Sequence, residues 1–159
     1  MLDLHIHDVD IINYIFGCPD KVSSVATHDV TPYDSISTRY YYPNGPRVSC
    51  SCDWGFGKSF GFRAGYCARF EFGSVEMKDS GEVVVCPMDG EAYKVDLNMT
   101  SHYALEVQDF IDAIECDTAV EIADPESTKI SLDIVLAEME SAKWDRPVEV
   151  LKGKRDDDK

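Results

Sequence analysis

A long stretch of twofold periodicity, bounded on both sides by helical spacing, restricts this chain to few architectures. From Lys21 to about Leu97, Val, Tyr, Ser, Thr and Phe alternate, and turn signals interrupt them repeatedly. Alternation of this kind sends successive side chains to opposite faces of a strand. It predicts strands at 21–29, 34–42, 47–54, 65–72, 74–78, 82–87 and 92–97. Pro43-Asn44-Gly45-Pro46 reads as a hairpin turn, and Asp79-Ser80-Gly81 and Asp89-Gly90 as further turns. Successive hairpins make a mainly antiparallel sheet.

The flanks follow a different period. Residues 2–16, LDLHIHDVDIINYIF, predict a helix stopped by Gly17 and Pro19. Tyr103–Cys116 carries Leu105, Val107, Phe110, Ile111 and Ile114 in an amphipathic pattern. Asp124-Pro125 is a helix start, an N-cap residue followed by proline in the first turn. That helix is expected to reach about Lys143, burying Ile130, Ile134, Val135 and Met139, with a last strand near Val148–Leu151. Segregated helices and strands imply an α+β domain over residues 1–151: a large open, mainly antiparallel sheet with helices packed on one face. The tail at 152–159 is charged apart from Gly153 and is expected to be disordered. Met1 leads straight into a helix with no N-cap, as in a chain that begins partway through a longer protein.

Composition removes several functions. The net charge of −15 argues against nucleic acid, whose phosphates require clustered Lys and Arg. No apolar run reaches the ~18 residues of a membrane span, and no secretion signal precedes the first helix. The six cysteines, at 18, 50, 52, 67, 86 and 116, form no C-x-x-C pair. This spacing predicts no metal site, and free thiols without a leader point to the cytoplasm. Cys50 and Cys52, two apart on a strand, are expected to point the same way.

The chemistry-bearing segment is Asp3-Leu4-His5-Ile6-His7-Asp8-Val9-Asp10. At about 100° per helical residue, Asp3, His7, Asp10 and Tyr14 fall within an arc of roughly 60°. Leu4, Val9, Ile11, Ile12, Ile15 and Phe16 occupy a separate, apolar arc, into which His5 and Asp8 also fall. An imidazole beside carboxylates suits acid–base work, because histidine titrates near neutrality and a carboxylate orients it. The alternatives are an ordinary solvated stripe, or a metal-dependent hydrolase that uses Asp3-x-His5-x-His7 on a strand. Two glycine-containing patterns fail as cofactor sites. Gly57-Lys58-Ser59 lacks the first glycine of a phosphate loop, where Cys52 stands. Gly55-x-Gly57-x-x-Phe60 lacks the third glycine of the dinucleotide fingerprint. No cofactor-binding residue is therefore assigned.

Four segments in order resemble one family. Asp3-x-x-x-His7-x-x-Asp10 with Gly17-x-Pro19-x-x-Val22 resembles the start of the C-terminal domain of the Gfo/Idh/MocA oxidoreductases. Ala68–Val75 with its Gly73-Ser74 step, Glu106-x-x-Asp109-Phe110-x-x-Ala113-Ile114, and Ser141-Ala142 with Arg146-Pro147-Val148 resemble later parts of that domain. The resemblance implies an NAD(P)-dependent oxidoreductase acting on a sugar, polyol or related compound, with substrate between this domain and an N-terminal Rossmann domain that the chain lacks. It implies His7 as the acid–base residue and Asp3 as its support or a substrate ligand. Asp10 matches a further acidic position of the motif and, with Tyr14, is assigned to substrate binding. It also implies that NAD or NADP, with the catalytic lysine, belongs to the missing domain, so that this chain alone is inactive. Dimers or tetramers through the sheet face are expected, with the outward residues of 34–42 supplying the contact. The competing view is a non-catalytic scaffold or interaction module derived from such an enzyme.

Overall fold

The structure, a computed structural model, describes residues 2–29, 31–98, 100–120 and 124–151. The first helix, α1 (His5–Phe16), is followed by strands β1 (Lys21–Thr27), β2 (Ser35–Tyr41) and β3 (Arg47–Asp53). After a single 3-10 turn at Lys58–Phe60 come β4 (Tyr66–Phe70), β5 (Gly73–Met77), β6 (Val83–Pro87) and β7 (Tyr93–Lys94). Helices α2 (His102–Cys116) and α3 (Pro125–Trp144) and the short β8 (Val148–Glu149) complete the order. The α+β class and every expected element are present. The strands are divided between two antiparallel four-stranded sheets, β3-β2-β1-β8 and β4-β5-β6-β7, where one larger sheet was expected. The chain likewise forms two compact units, one from the stretches up to Gly55 and from Glu106 onward, the other from Phe56–Leu105. The charged tail at 152–159 lies outside the described residues.

The first sheet shows why alternation matters. Val22, Ser24, Ile36, Thr38 and Tyr40 are buried, whereas Val25, Ser37, Arg39, Ser49 and Ser51 face outward. Register places Val22 opposite Tyr40 and Ser24 opposite Thr38, whose hydroxyls are 2.7 Å apart. Cys50 and Cys52 lie opposite Thr38 and Ile36, on the covered face, so they do point the same way. Helix α3 packs on β1 and β8, and α1 packs along α3. Val9, Ile12, Val22, Tyr40, Ile134, Val135, Ala137 and Val150 then form one apolar core. Ser141 secures the join: its hydroxyl accepts from the backbone N–H of Ser24 at 2.9 Å and donates to the carbonyl of Arg146 at 2.6 Å.

Helix ends behave as their residues dictate. Asp124 caps α3 by accepting from the N–H of Ser127 at 2.8 Å, with Pro125 in the first turn. Gly17 ends α1 at φ 74°, a conformation that favours glycine, and its N–H reaches the carbonyl of Asn13 at 2.8 Å. Helix α1 itself begins at His5, not at Leu2, so Asp3 lies in the turn before it.

The second sheet is a plain meander without a buried core. Gly73 faces Pro87 across β5 and β6, and a Cβ there would lie 2.6 Å from the carbonyl oxygen of Cys86, which explains the glycine of the Gly73-Ser74 step. Among the described residues of Phe56–Leu105, no side chain is buried. Helix α2 is amphipathic as expected, yet only Ala113 is buried and Val107, Phe110 and Ile114 stay exposed. No helix among the described residues is long and apolar enough to cross a membrane.

Stability should therefore be concentrated under α3. Ile134→Ala removes a fully buried side chain and is expected to cost about 2–5 kcal/mol in urea unfolding. Ile114→Ala, on the exposed side of α2, is expected to change stability by less than about 0.5 kcal/mol.

Candidate functional site

Helix α1 divides its polar residues between two environments. His7, Asp10 and Tyr14, at positions i, i+3 and i+7 of one helix, are all exposed and share a face, as the phase predicts. Asp3 is exposed as well, in the preceding turn. Neither the imidazole of His7 nor the carboxylate of Asp3 makes a hydrogen bond or ion pair among the described residues, so both are open to a ligand. Asp10 is not free in the same way. Its Oδ1 accepts from the Ser131 hydroxyl at 2.7 Å. The neighbouring Asn13 donates from Nδ2 to the hydroxyls of Ser131 and Ser127 at 3.1 and 3.2 Å, and to the Ser127 carbonyl at 3.2 Å.

His5 turns the other way and is completely buried. Its Nδ1 lies 3.4 Å from Oδ2 of Asp8, and its Nε2 lies 3.1 Å from Oε2 of Glu138 on α3. The second approach is short enough for strong charge attraction but is poorly aligned. The Nε2 atom, both Glu138 oxygens and the Tyr40 hydroxyl are buried without an aligned hydrogen-bond partner. Burial by itself disfavours the imidazolium, but Asp8, Cys50, Cys52 and Glu138 outweigh it and hold the His5 pKa above its ordinary value. Burial and the charge of Glu138 push the Tyr40 hydroxyl up. Burial raises the Cys50 thiol too, with His5 opposing. This cluster explains the two polar residues, His5 and Asp8, that the helical phase left in the apolar arc.

The same geometry removes the hydrolase reading. Asp3-x-His5-x-His7 is not on a strand, and the two histidines, about 200° apart on a helix, face protein and solvent respectively. They cannot share a metal. Sequence reasoning missed Glu138, Ser131 and Asn13. A signal existed for the first two: Ser131 and Glu138 occupy the i, i+3, i+7 positions shared with buried Ile134, where a polar residue needs a partner.

No family model and no curated protein matches the sequence. Solved structures do match. Levoglucosan dehydrogenase, solved with NADH and levoglucosan, aligns with a TM-score of 0.79 and 18% identity over 95% of this chain and 50% of that one. UDP-N-acetylglucosamine 3-dehydrogenase from Acidithiobacillus ferrooxidans aligns at 0.77 with 18% identity, covering 90% of this chain and 48% of that one. Aldose-aldose oxidoreductase from Caulobacter crescentus, complexed with glycerol, aligns at 0.78 with 15% identity, covering 92% and 46%. The chain thus spans about half the length of the structures it matches. Its fold is shared with these oxidoreductases over about half of their length, the fold that the Gfo/Idh/MocA resemblance of its motifs implies.

The buried and exposed histidines should separate cleanly in stability measurements. Glu138→Ala leaves the His5 imidazolium without its buried partner and is expected to cost about 3–5 kcal/mol. His7→Ala is expected to leave the unfolding midpoint nearly unchanged, as for other exposed positions. Denaturant titration of the two variants side by side checks both.

Proposed function

We propose that this chain is the substrate-facing half of a nicotinamide-dependent oxidoreductase that acts on a sugar, polyol or related compound. The observation that carries the reading is the exposed stripe of His7, Asp10 and Tyr14 on a helix whose other side is locked into the core. The neighbour solved with NADH and levoglucosan gives the chemistry a precedent in the same fold. A nicotinamide held by residues outside this chain would supply the hydride acceptor for the carbon being oxidised. His7 then takes the proton of the hydroxyl on that carbon, so that a carbonyl forms and charge stays balanced. Asp3, exposed in the turn before α1, would accept a substrate hydroxyl or orient the imidazole, and Asp10 and Tyr14 would extend the polar surface that a polyhydroxylated ligand requires. The chain by itself is inactive in this reading, because the residues that hold the cofactor are elsewhere. The six free thiols favour a reducing compartment, the cytoplasm.

Self-association belongs to the same proposal. The outward face of the first sheet carries Lys21, Arg39 and Tyr41, with the Arg39 guanidinium 5.1 Å from the Tyr41 ring. Arg and Tyr are enriched where proteins meet. A second copy of the chain would cover this face, opposite the one that α3 covers.

In the full-length parent, His7→Ala is expected to lower turnover by about 10²–10⁴-fold while dinucleotide affinity changes little. Equal loss of both would remove the acid–base role. Calorimetry on the present chain is expected to show no binding of NAD or NADP; tight binding would overturn the division of labour. Light scattering near physiological salt is expected to give at least twice 17.8 kDa for the wild type and a monomer for Tyr41→Glu.

A further inference from the structure

The buried cluster beneath α1 is not used by the proposed reaction, and its donor set has a chemistry of its own. The imidazole of His5, a carboxylate oxygen of Asp8 and the thiol of Cys50 converge with all three ligand atoms within 4.8 Å of one another. They come from α1 and from β3, more than forty residues apart in the sequence, so cysteine spacing alone could not reveal them. Because Nε2 of His5 faces Glu138 and Nδ1 faces Asp8, Nδ1 is the nitrogen directed into the cluster.

We propose that His5 Nδ1, Asp8 and Cys50 bind a divalent zinc-class cation. Four observations support it. Imidazole, carboxylate and thiolate together are the ligand set of zinc, which takes nitrogen and oxygen at about 2.0–2.2 Å and sulfur at about 2.3 Å. Donors arranged tetrahedrally around such an ion stand roughly 3.5 Å apart, so the ligands need to draw in by only about 1 Å. Asp8 is the one that can move, since its side chain is 43% exposed. The exposed side of Asp8 leaves room for a water or an exogenous ligand at the fourth position.

The outer contacts of His5 provide the third and fourth observations. Metal-bound histidines ordinarily donate their second ring N–H to a carboxylate, which fixes the tautomer. Glu138, wholly buried, lies 3.1 Å from Nε2 on the far side of the ring from Asp8. Neither of its oxygens has an aligned partner, and no Lys or Arg pairs with it among the described residues. Binding at Nδ1 would place the proton on Nε2, where Glu138 can accept it. Two carboxylates and a thiol surround a single imidazole here, so a cation that displaces the Nδ1 proton of His5 meets a net negative ligand set. On binding, His5 gives up its Nδ1 proton and Cys50 its thiol proton to solvent, as imidazole and thiolate ligands must.

Cobalt(II) is the probe, because a thiolate–cobalt bond has a near-ultraviolet charge-transfer band. Titrated into the metal-free full chain, it is expected to bind one ion per chain and to be displaced by one equivalent of zinc. Cys50→Ser is expected to abolish the band, while Cys52→Ser and His7→Ala keep it. Asp8→Asn, at a half-exposed position that leaves the core untouched, is expected to weaken binding at least tenfold, and Glu138→Gln to weaken it by about 10–100-fold. Circular dichroism on each variant confirms that it is folded. The proposal is overturned if the wild type shows no saturable band, if the band survives Cys50→Ser, or if His7→Ala removes it, which would place the ion on the exposed stripe. None of these outcomes depends on turnover, so they stand apart from the test of the oxidoreductase reading.

Discussion

The contact between α1 and α3 is the constraint on which the rest of the candidate site depends. Two amphipathic helices of ordinary propensity do not choose their mutual rotation from apolar packing alone, because Val9, Ile12, Ile134 and Val135 tolerate small slips. Polar groups with few partners do choose it. His5 reaches Glu138 at one end of the seam, and Asn13 and Asp10 reach Ser127 and Ser131 at the other. Rotating α1 by one residue, about 100°, would break both sets and bury a carboxylate. The same rotation would carry His7 off the exposed face. A buried ion pair is weak evidence for net stability, yet it strongly penalises wrong arrangements. Here that penalty specifies which side of α1 stays exposed.

The two sheets differ in what covers them. The first has α3 across one face and a polar outer face, the usual arrangement of an antiparallel sheet with one wetted side. Its inner face carries the apolar core together with the Cys50 and Cys52 thiols that approach His5. The second sheet has the same hairpin regularity but no buried side chain among its described residues. Hydrogen-bonded ladders and close glycine packing at Gly73 give it a defined backbone. Phe70, Phe72, Met88 and Tyr93 remain exposed, which is a large apolar surface for a small unit.

Most elements were legible in the sequence because local rules and tertiary context agree in this chain. Period-two alternation marked β1 to β3 within two residues of their ends, and the Asp124-Pro125 start of α3 is satisfied as its cap chemistry requires. Helical phase also placed His7, Asp10 and Tyr14 on one open face. Local reasoning fell short where the partner is distant in sequence. It extended α1 three residues too far toward the N-terminus, since Leu4 offers no side-chain cap, and it gave α2 a packing role that its exposed apolar side does not have. It also drew one sheet where there are two, because pairing beyond neighbouring strands leaves no periodic trace.

By itself the sequence determined the class of fold, the strand and helix order, and the presence of an exposed polar stripe of His7, Asp10 and Tyr14 on the first helix. These follow from periodicity and capping, which act over a few residues. Only the tertiary structure decided the fate of His5 and Asp8. Both lie in the apolar arc of α1, and apart from each other nothing near them in the chain says what they meet. Glu138 on α3 and Cys50 on β3 supply the answer, brought in from 133 and 45 residues away. Burial of an imidazole between carboxylates is a long-range electrostatic choice. It exists only once α1, α3 and the first sheet have closed around it.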